Sequence, residues 1–244
     1  MLKPYNRGMN FSSDRSQHGN ALWFILVAIV LLGALTVLLS RSGTSVNQSG
    51  DVEQARIRAG QIMRWAKGIE VTLEQMKLRG ISESNISFEN DVTATDYTNA
   101  DCTTNDCKIF ANGGGGQTYL APSLGMNDGS EWIFTGANNV GTVDYPIGTT
   151  ESRAGNDLIL LLPDANETLC LQINRELGIG TSGMLPEDST GISTEAFTGT
   201  YNSTLVVLDG DGAPFELNGR SSGCFVDTNP NPDVIYFYYV VLAR

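Results

Sequence analysis

Four cysteines (Cys102, Cys107, Cys170 and Cys224), a single histidine (His18) and 27 acidic residues are the groups in this 244-residue chain best suited to chemistry. A nucleophilic triad needs a base beside the nucleophile, usually histidine. No histidine follows position 18, so the rest of the chain is a poor hydrolase. Zinc fits badly too, because the cysteines lack CxxC spacing and His18 stands far from them in sequence. An even cysteine count in an exported domain reads as disulfides, and four cysteines allow three pairings. The polar loop DCTTNDC favours Cys102 with Cys107, which leaves Cys170 with Cys224 by elimination.

The remaining candidates have simpler readings. Glu187-Asp188 and Asp209/Asp211 resemble the carboxylate pairs of glycosidases or calcium sites, yet so many acids make chance neighbours inevitable. The stretch LDGDGAP is expected to be a tight turn, since one Asp-Gly-Asp-Gly offers too few oxygen ligands. NGGGGQ at 112–117 lacks the Lys-Ser/Thr of a phosphate loop and reads as a flexible loop. Trp132 and the run Tyr236, Phe237, Tyr238, Tyr239 suit a core and a sheet face better than a sugar platform. No enzyme activity and no cofactor are expected.

Charge divides the chain. Residues 1–80 hold ten Lys/Arg against five Asp/Glu, and residues 81–244 hold five against twenty-two. The acidic part repels phosphate backbones, which excludes nucleic acid as its partner.

These groups must be positioned by a small set of elements. From Ala21 to Leu39 the chain is almost wholly apolar, and at about 1.5 Å per residue such a helix is just long enough to cross a bilayer. Lys3, Arg7 and Arg15 precede it, so the positive-inside tendency puts the N-terminus in the cytoplasm and the acidic part outside. The run is long for a secretory signal, and Ser40-Arg41-Ser42 is a poor cleavage site. A plain single-pass anchor therefore stands open. After the Ser/Gly-rich stretch 42–50, Asp51 and Gln54 open a helix that ends at Gly80. Val52, Ala55, Ala59, Ile62, Ala66, Ile69, Leu73 and Met76 lie on one face of it. Beyond Ile81 short apolar runs alternate with turn formers: KIFA, TYLA, EWIFTG, DLILLL, STLVVL and VIYFYYVVL. Residues 164–167 should cap a short helix carrying Leu169, Cys170, Ile173 and Leu177 before Gly178, and Val234–Leu242 should be an interior strand.

The leader MLKPYNRGMNFSSDRSQHG, followed at once by an apolar helix, resembles the class III signal of type IV pilins and pseudopilins. The resemblance implies that a prepilin peptidase cuts between Gly19 and Asn20. It implies a helical spine over residues 20–80, in the membrane or filament core first and then against a sheet. The family usually begins its mature chain with Phe or Met and carries Glu at mature position five. Here those positions are Asn20 and Phe24. Some minor tip pseudopilins lack that Glu, so the match points to a minor subunit. Some pseudopilin heads bind calcium, the one ion the resemblance allows for.

Together these readings predict an α+β protein, an N-terminal transmembrane and amphipathic helix followed by a β-rich, disulfide-bonded head. The expected divisions are a cytoplasmic leader 1–19, a transmembrane helix 20–41, a flexible linker 42–50, an amphipathic helix 51–80 and an acidic periplasmic or extracellular head 81–244. The expected place is the bacterial inner membrane, as a single-pass protein. By resemblance the function is that of a minor pilin or pseudopilin-like subunit, with other pilin-like subunits, membrane assembly proteins and the prepilin peptidase as partners. Ala28, Gly33 and Ala34 are its expected helix-packing residues, because small side chains permit close approach. The alternative is an uncleaved, membrane-anchored binding or adhesion module.

Overall fold

The computed structural model describes residues 19–92, 97–141, 147–148, 155–180, 183–202, 206–208 and 216–244, with side chains omitted at 19–21 and 39–49. The chain divides into two compact units, Met1–Gly50 and Asp51–Arg244. Helix α1, Gly19–Leu78, begins in the first and ends in the second. Proline, the residue that would break it, is absent from this span. The backbone of 42–50, read from its Ser/Gly content as a linker, is helical, so Asp51 and Gln54 do not open a new helix.

The first unit corrects the expected architecture and location. Among the described residues no helix is long and apolar enough to cross a membrane. The described apolar side chains run from Leu22 to Leu38. The transmembrane helix 20–41, the fold class built on it and the single-pass inner-membrane location with a cytoplasmic N-terminus are therefore not supported. The leader and the residues behind the charge-based orientation, Lys3, Arg7 and Arg15, lie outside the described residues.

In the second unit the expected stripe on α1 is buried at seven of its eight positions, Ala55 through Met76, while Val52 is 42% exposed. The helix ends as its sequence indicates. Gly80 takes φ +91°, and the Ile81 N–H reaches the Met76 carbonyl at 3.1 Å, the closing bond of a Schellman turn.

Six strands form one mixed sheet: β1 Ile133–Val140, β2 Asp157–Leu162, β3 Glu187–Asp188, β4 Val207–Leu208, β5 Ser222–Asp227 and β6 Val234–Leu242. Their order is β3-β5-β6-β2-β1-β4. The four long strands pair antiparallel, and the two-residue edges β3 and β4 add in parallel to β5 and β1. The sheet curls into a nearly closed barrel. Across the remaining seam the Thr190 hydroxyl oxygen lies 3.0 Å from the Val207 carbonyl oxygen.

The continuous apolar runs follow from burial on both faces. Leu158, Leu160 and Leu162 of β2, with Phe237, Tyr239 and Val241 of β6, join the α1 stripe in one core. Ile159 and Leu161, with Tyr236, Tyr238 and Val240, fill the other with Phe225, Ile179 and Leu217. Helix α2, Glu167–Leu177, buries Leu169, Cys170 and Ile173. Asn166 caps it by accepting from Leu169 N–H, and Gly178 closes it in the left-handed conformation, φ +67°. Arg220 also donates to the exposed carbonyls of Leu177 and Gly178.

Candidate functional site

The residues singled out from the sequence fall into separate parts of the fold. Gly19 and Asn20 are the first residues of α1. Ala28, Gly33 and Ala34 lie in its apolar stretch and are exposed. A Cβ built on Gly33 would meet nothing within 4 Å. Around them every large apolar side chain from Leu22 to Leu38 except Val27 is 54–72% exposed, Phe24 among them.

The cysteines form two disulfides, Cys102–Cys107 and Cys170–Cys224, the pairs favoured by loop spacing and elimination. The second ties α2 to β5, and a side chain that the sequence did not flag reinforces it. Asn174 Nδ2 donates to the Cys224 carbonyl at 2.9 Å, and Cys224 N–H donates to Asn174 Oδ1 at 2.8 Å. Further along the same edge of β5, Val226 N–H and Thr228 N–H bond to Pro186 and Asp188 of the β3 segment. The Asn174 amide thus stands in for the strand that β3 is too short to provide. Asn138 does the same across the seam, bonding the Ser193 carbonyl at 2.8 Å and the Ser193 N–H at 2.7 Å.

The acidic pair Glu187-Asp188 is part of the scaffold. Asp188 is 1% exposed and accepts the Thr190 N–H and hydroxyl at 3.0 and 2.5 Å. Asp209, Asp211 and most of LDGDGAP lie outside the described residues. Among those described, no group of three His, Cys, Asp or Glu residues is placed to hold a metal ion. Trp132 is fully buried, and Tyr236–Tyr239 alternate between the two cores. Burial pushes the Tyr238 phenol well above its ordinary value, so it stays neutral and donates to the Arg220 carbonyl at 3.0 Å.

The glycine run departs from its expected role as a flexible loop. A Cβ on Gly114 would lie 2.2 Å from the Lys108 carbonyl oxygen, and one on Gly115 would lie 2.3 Å from that of Ile109 and 2.6 Å from Thr72 Cγ2. Only glycine fits so close to backbone. The N–H groups of Gly114, Gly115, Gly116 and Gln117 all bond to carbonyls of 108–111, leaving none turned toward a phosphate. The loop is fastened to α1: Trp65 Nε1 donates to the Thr118 carbonyl at 2.9 Å, Gln117 Nε2 to Thr72 Oγ1 at 2.6 Å, and Arg79 to the Gly114 carbonyl at 2.9 Å.

Among the concavities formed by the described residues, two adjoin the glycine run or the C-terminal end of α1. One, of about 490 Å³, is lined by Lys77, Glu83, Tyr201 and Arg244. Glu83 pairs with both cations, at 2.5 Å to Lys77 and 3.8 Å to Arg244, and the Arg244 guanidinium lies 3.9 Å over the Tyr201 ring. Its charges are largely matched internally. Nearby Asp157, 2% exposed, accepts the Val140 and Arg244 N–H groups at 2.9 and 3.0 Å. Desolvation raises its carboxyl above the ordinary value, against the pull of those two bonds. The other concavity is a polar groove of about 540 Å³ between residues 89–92 and the loop 105–119.

No family model, curated protein or solved structure matches the chain.

Proposed function

We propose that the chain is a minor pilin or pseudopilin-like subunit, working in the assembly of a pilus or a secretion pseudopilus and not as an enzyme. The observation that carries this reading is the contrast along α1. Seven apolar positions of residues 55–76 are buried, six of them in the core shared with the sheet, whereas the stretch 22–38 is almost wholly apolar and exposed. A helix apolar all round requires a cover, and an exposed patch of that extent marks an interaction site. The cover is the equivalent helices of neighbouring pilin-like subunits. Phe24, where bulk subunits carry an acid, fits a minor component, and Gly19-Asn20 is the processing site for a prepilin peptidase.

The test is cross-linking in the cells that make the protein. Gly33→Leu combined with Ala34→Leu keeps the stretch apolar but removes the small side chains that allow close helix approach. Cross-links to other pilin-like subunits should be lost while protein level holds, and the mature chain should begin at Asn20. A wild-type chain that starts at Met1 and forms no such cross-links overturns the proposal.

A further inference from the structure

We propose that the groove between residues 89–92 and the loop 105–119 binds a short neutral saccharide. This inference does not depend on assembly.

The groove's chemistry selects the ligand class. Its wall includes the rings of Phe110 and Tyr119, set edge to face at 5.5 Å, which offer apolar surface for the C–H face of a sugar. Exposed carboxamides at Asn105 and Asn112 and the exposed carboxylate of Asp91 surround them. A carboxamide both donates and accepts, and so does a sugar hydroxyl, while a carboxylate accepts from the hydroxyl proton. The alternatives fit less well. Lys108, the only cation among the groove's described lining residues, is matched by Glu89 at 3.0 Å, leaving Asp91 as surplus negative charge, and the N–H groups of Gly114, Gly115, Gly116 and Gln117 are spent inside the loop. An anion therefore meets a surplus negative charge and no unmatched cation among the described lining residues. A metal ion lacks a set of three ligating side chains among the described residues. A wholly apolar ligand would strip water from the amides and carboxylates without replacing their hydrogen bonds.

The walls are also fixed in advance, which lowers the ordering cost of binding. Cys102–Cys107 holds one end of the loop, Ser87 pairs with the backbone of Cys107 and Ile109 at 3.0 Å each, and the Trp65, Gln117 and Arg79 bonds hold the rest to α1.

The test uses the full chain and ligand-observed saturation-transfer NMR with three neutral probes: maltotriose, cellotriose and N,N′,N″-triacetylchitotriose. At least one is expected to bind at about 10 mM, a concentration that saturates a site of millimolar Kd. Asn112→Ala and Asp91→Ala alter exposed side chains and should leave the fold intact. Each should weaken binding by about 3- to 10-fold, the loss of one hydrogen bond. Inorganic phosphate should not compete. Failure of all three trisaccharides to bind, binding unchanged in both variants, or displacement by phosphate overturns the proposal.

Discussion

Asn174→Ala is the sharpest test of how the head is held together. In the folded protein Asn174 and Cys224 are 3% and 0% exposed, and two hydrogen bonds of 2.8 and 2.9 Å join the amide to the strand backbone. Truncation removes both partners at once and leaves a buried N–H and a buried carbonyl on β5. Each such group costs about 1–3 kcal/mol when left unsatisfied, so the variant should lose roughly 2–5 kcal/mol, offset by any water that enters. Urea denaturation with both disulfides intact measures the loss as a fall in midpoint at unchanged slope. The Cys224 amide should also exchange its hydrogen faster. Asn174→Asp separates backbone bridging from simple packing. It keeps the acceptor for Cys224 N–H but turns a second acceptor toward the Cys224 carbonyl, so it should destabilise despite its similar volume, and more so once the carboxyl is ionised. If Asn174→Asp matches the wild type, or Asn174→Ala loses less than about 0.5 kcal/mol, the amide is not acting as a strand surrogate.

Three further expectations rest on the same scaffold. Gly115→Ala forces a methyl against the Ile109 carbonyl and Thr72, and should cost about 1–3 kcal/mol in the same urea assay, with Trp65 fluorescence reporting displacement of the loop. Removing Cys170–Cys224, which spans 54 residues, should cost about 4 kcal/mol against about 2 for the 5-residue span of Cys102–Cys107, compared as Cys-to-Ser pairs by thermal unfolding. Asp157 should give stability a pH dependence of unusual sign. Its folded carboxyl lies above the ordinary value of 3.8, so between the two values the folded state holds more proton than the unfolded one and this contribution to stability falls as pH rises. Asp157→Asn should remove that component, and a wild-type stability that climbs as steeply as the variant's through the window would contradict it.

Much of the scaffold was legible in the sequence because it is written in repeating patterns. The α1 stripe from Ala55 to Met76, the run DLILLL and the run VIYFYYVVL follow from spacing and composition. So does α2 before Gly178, though Asn166 is its cap. The losses came where one side chain replaces a regular element. KIFA and TYLA read as strands, yet the described structure there has one isolated bridge, Ser87 with Lys108, and bonds from side chains of α1. Asn174 and Asn138 carry no signal, since a lone asparagine reads as a turn former and its partner lies 50 or 55 residues away. The Gly113–Gly116 run was misread because glycine serves freedom and close approach alike, and the sequence does not show the neighbour it approaches. The membrane segment, expected from nineteen apolar residues and their helical length, is the largest departure: among the described residues no helix is long and apolar enough to cross a membrane.

The brevity of β3 has a consequence for crowding. A sheet that ends in long bare strands offers a template to the next molecule, and copies held side by side tend to fuse. Here β3 is two residues long, the Asn174 amide occupies backbone groups of β5 that β3 leaves uncovered, and Thr190 reaches across to Val207. Such heads tolerate high local concentration without merging their sheets. Order among neighbouring copies can then be set by other surfaces, free from competition by strand exchange.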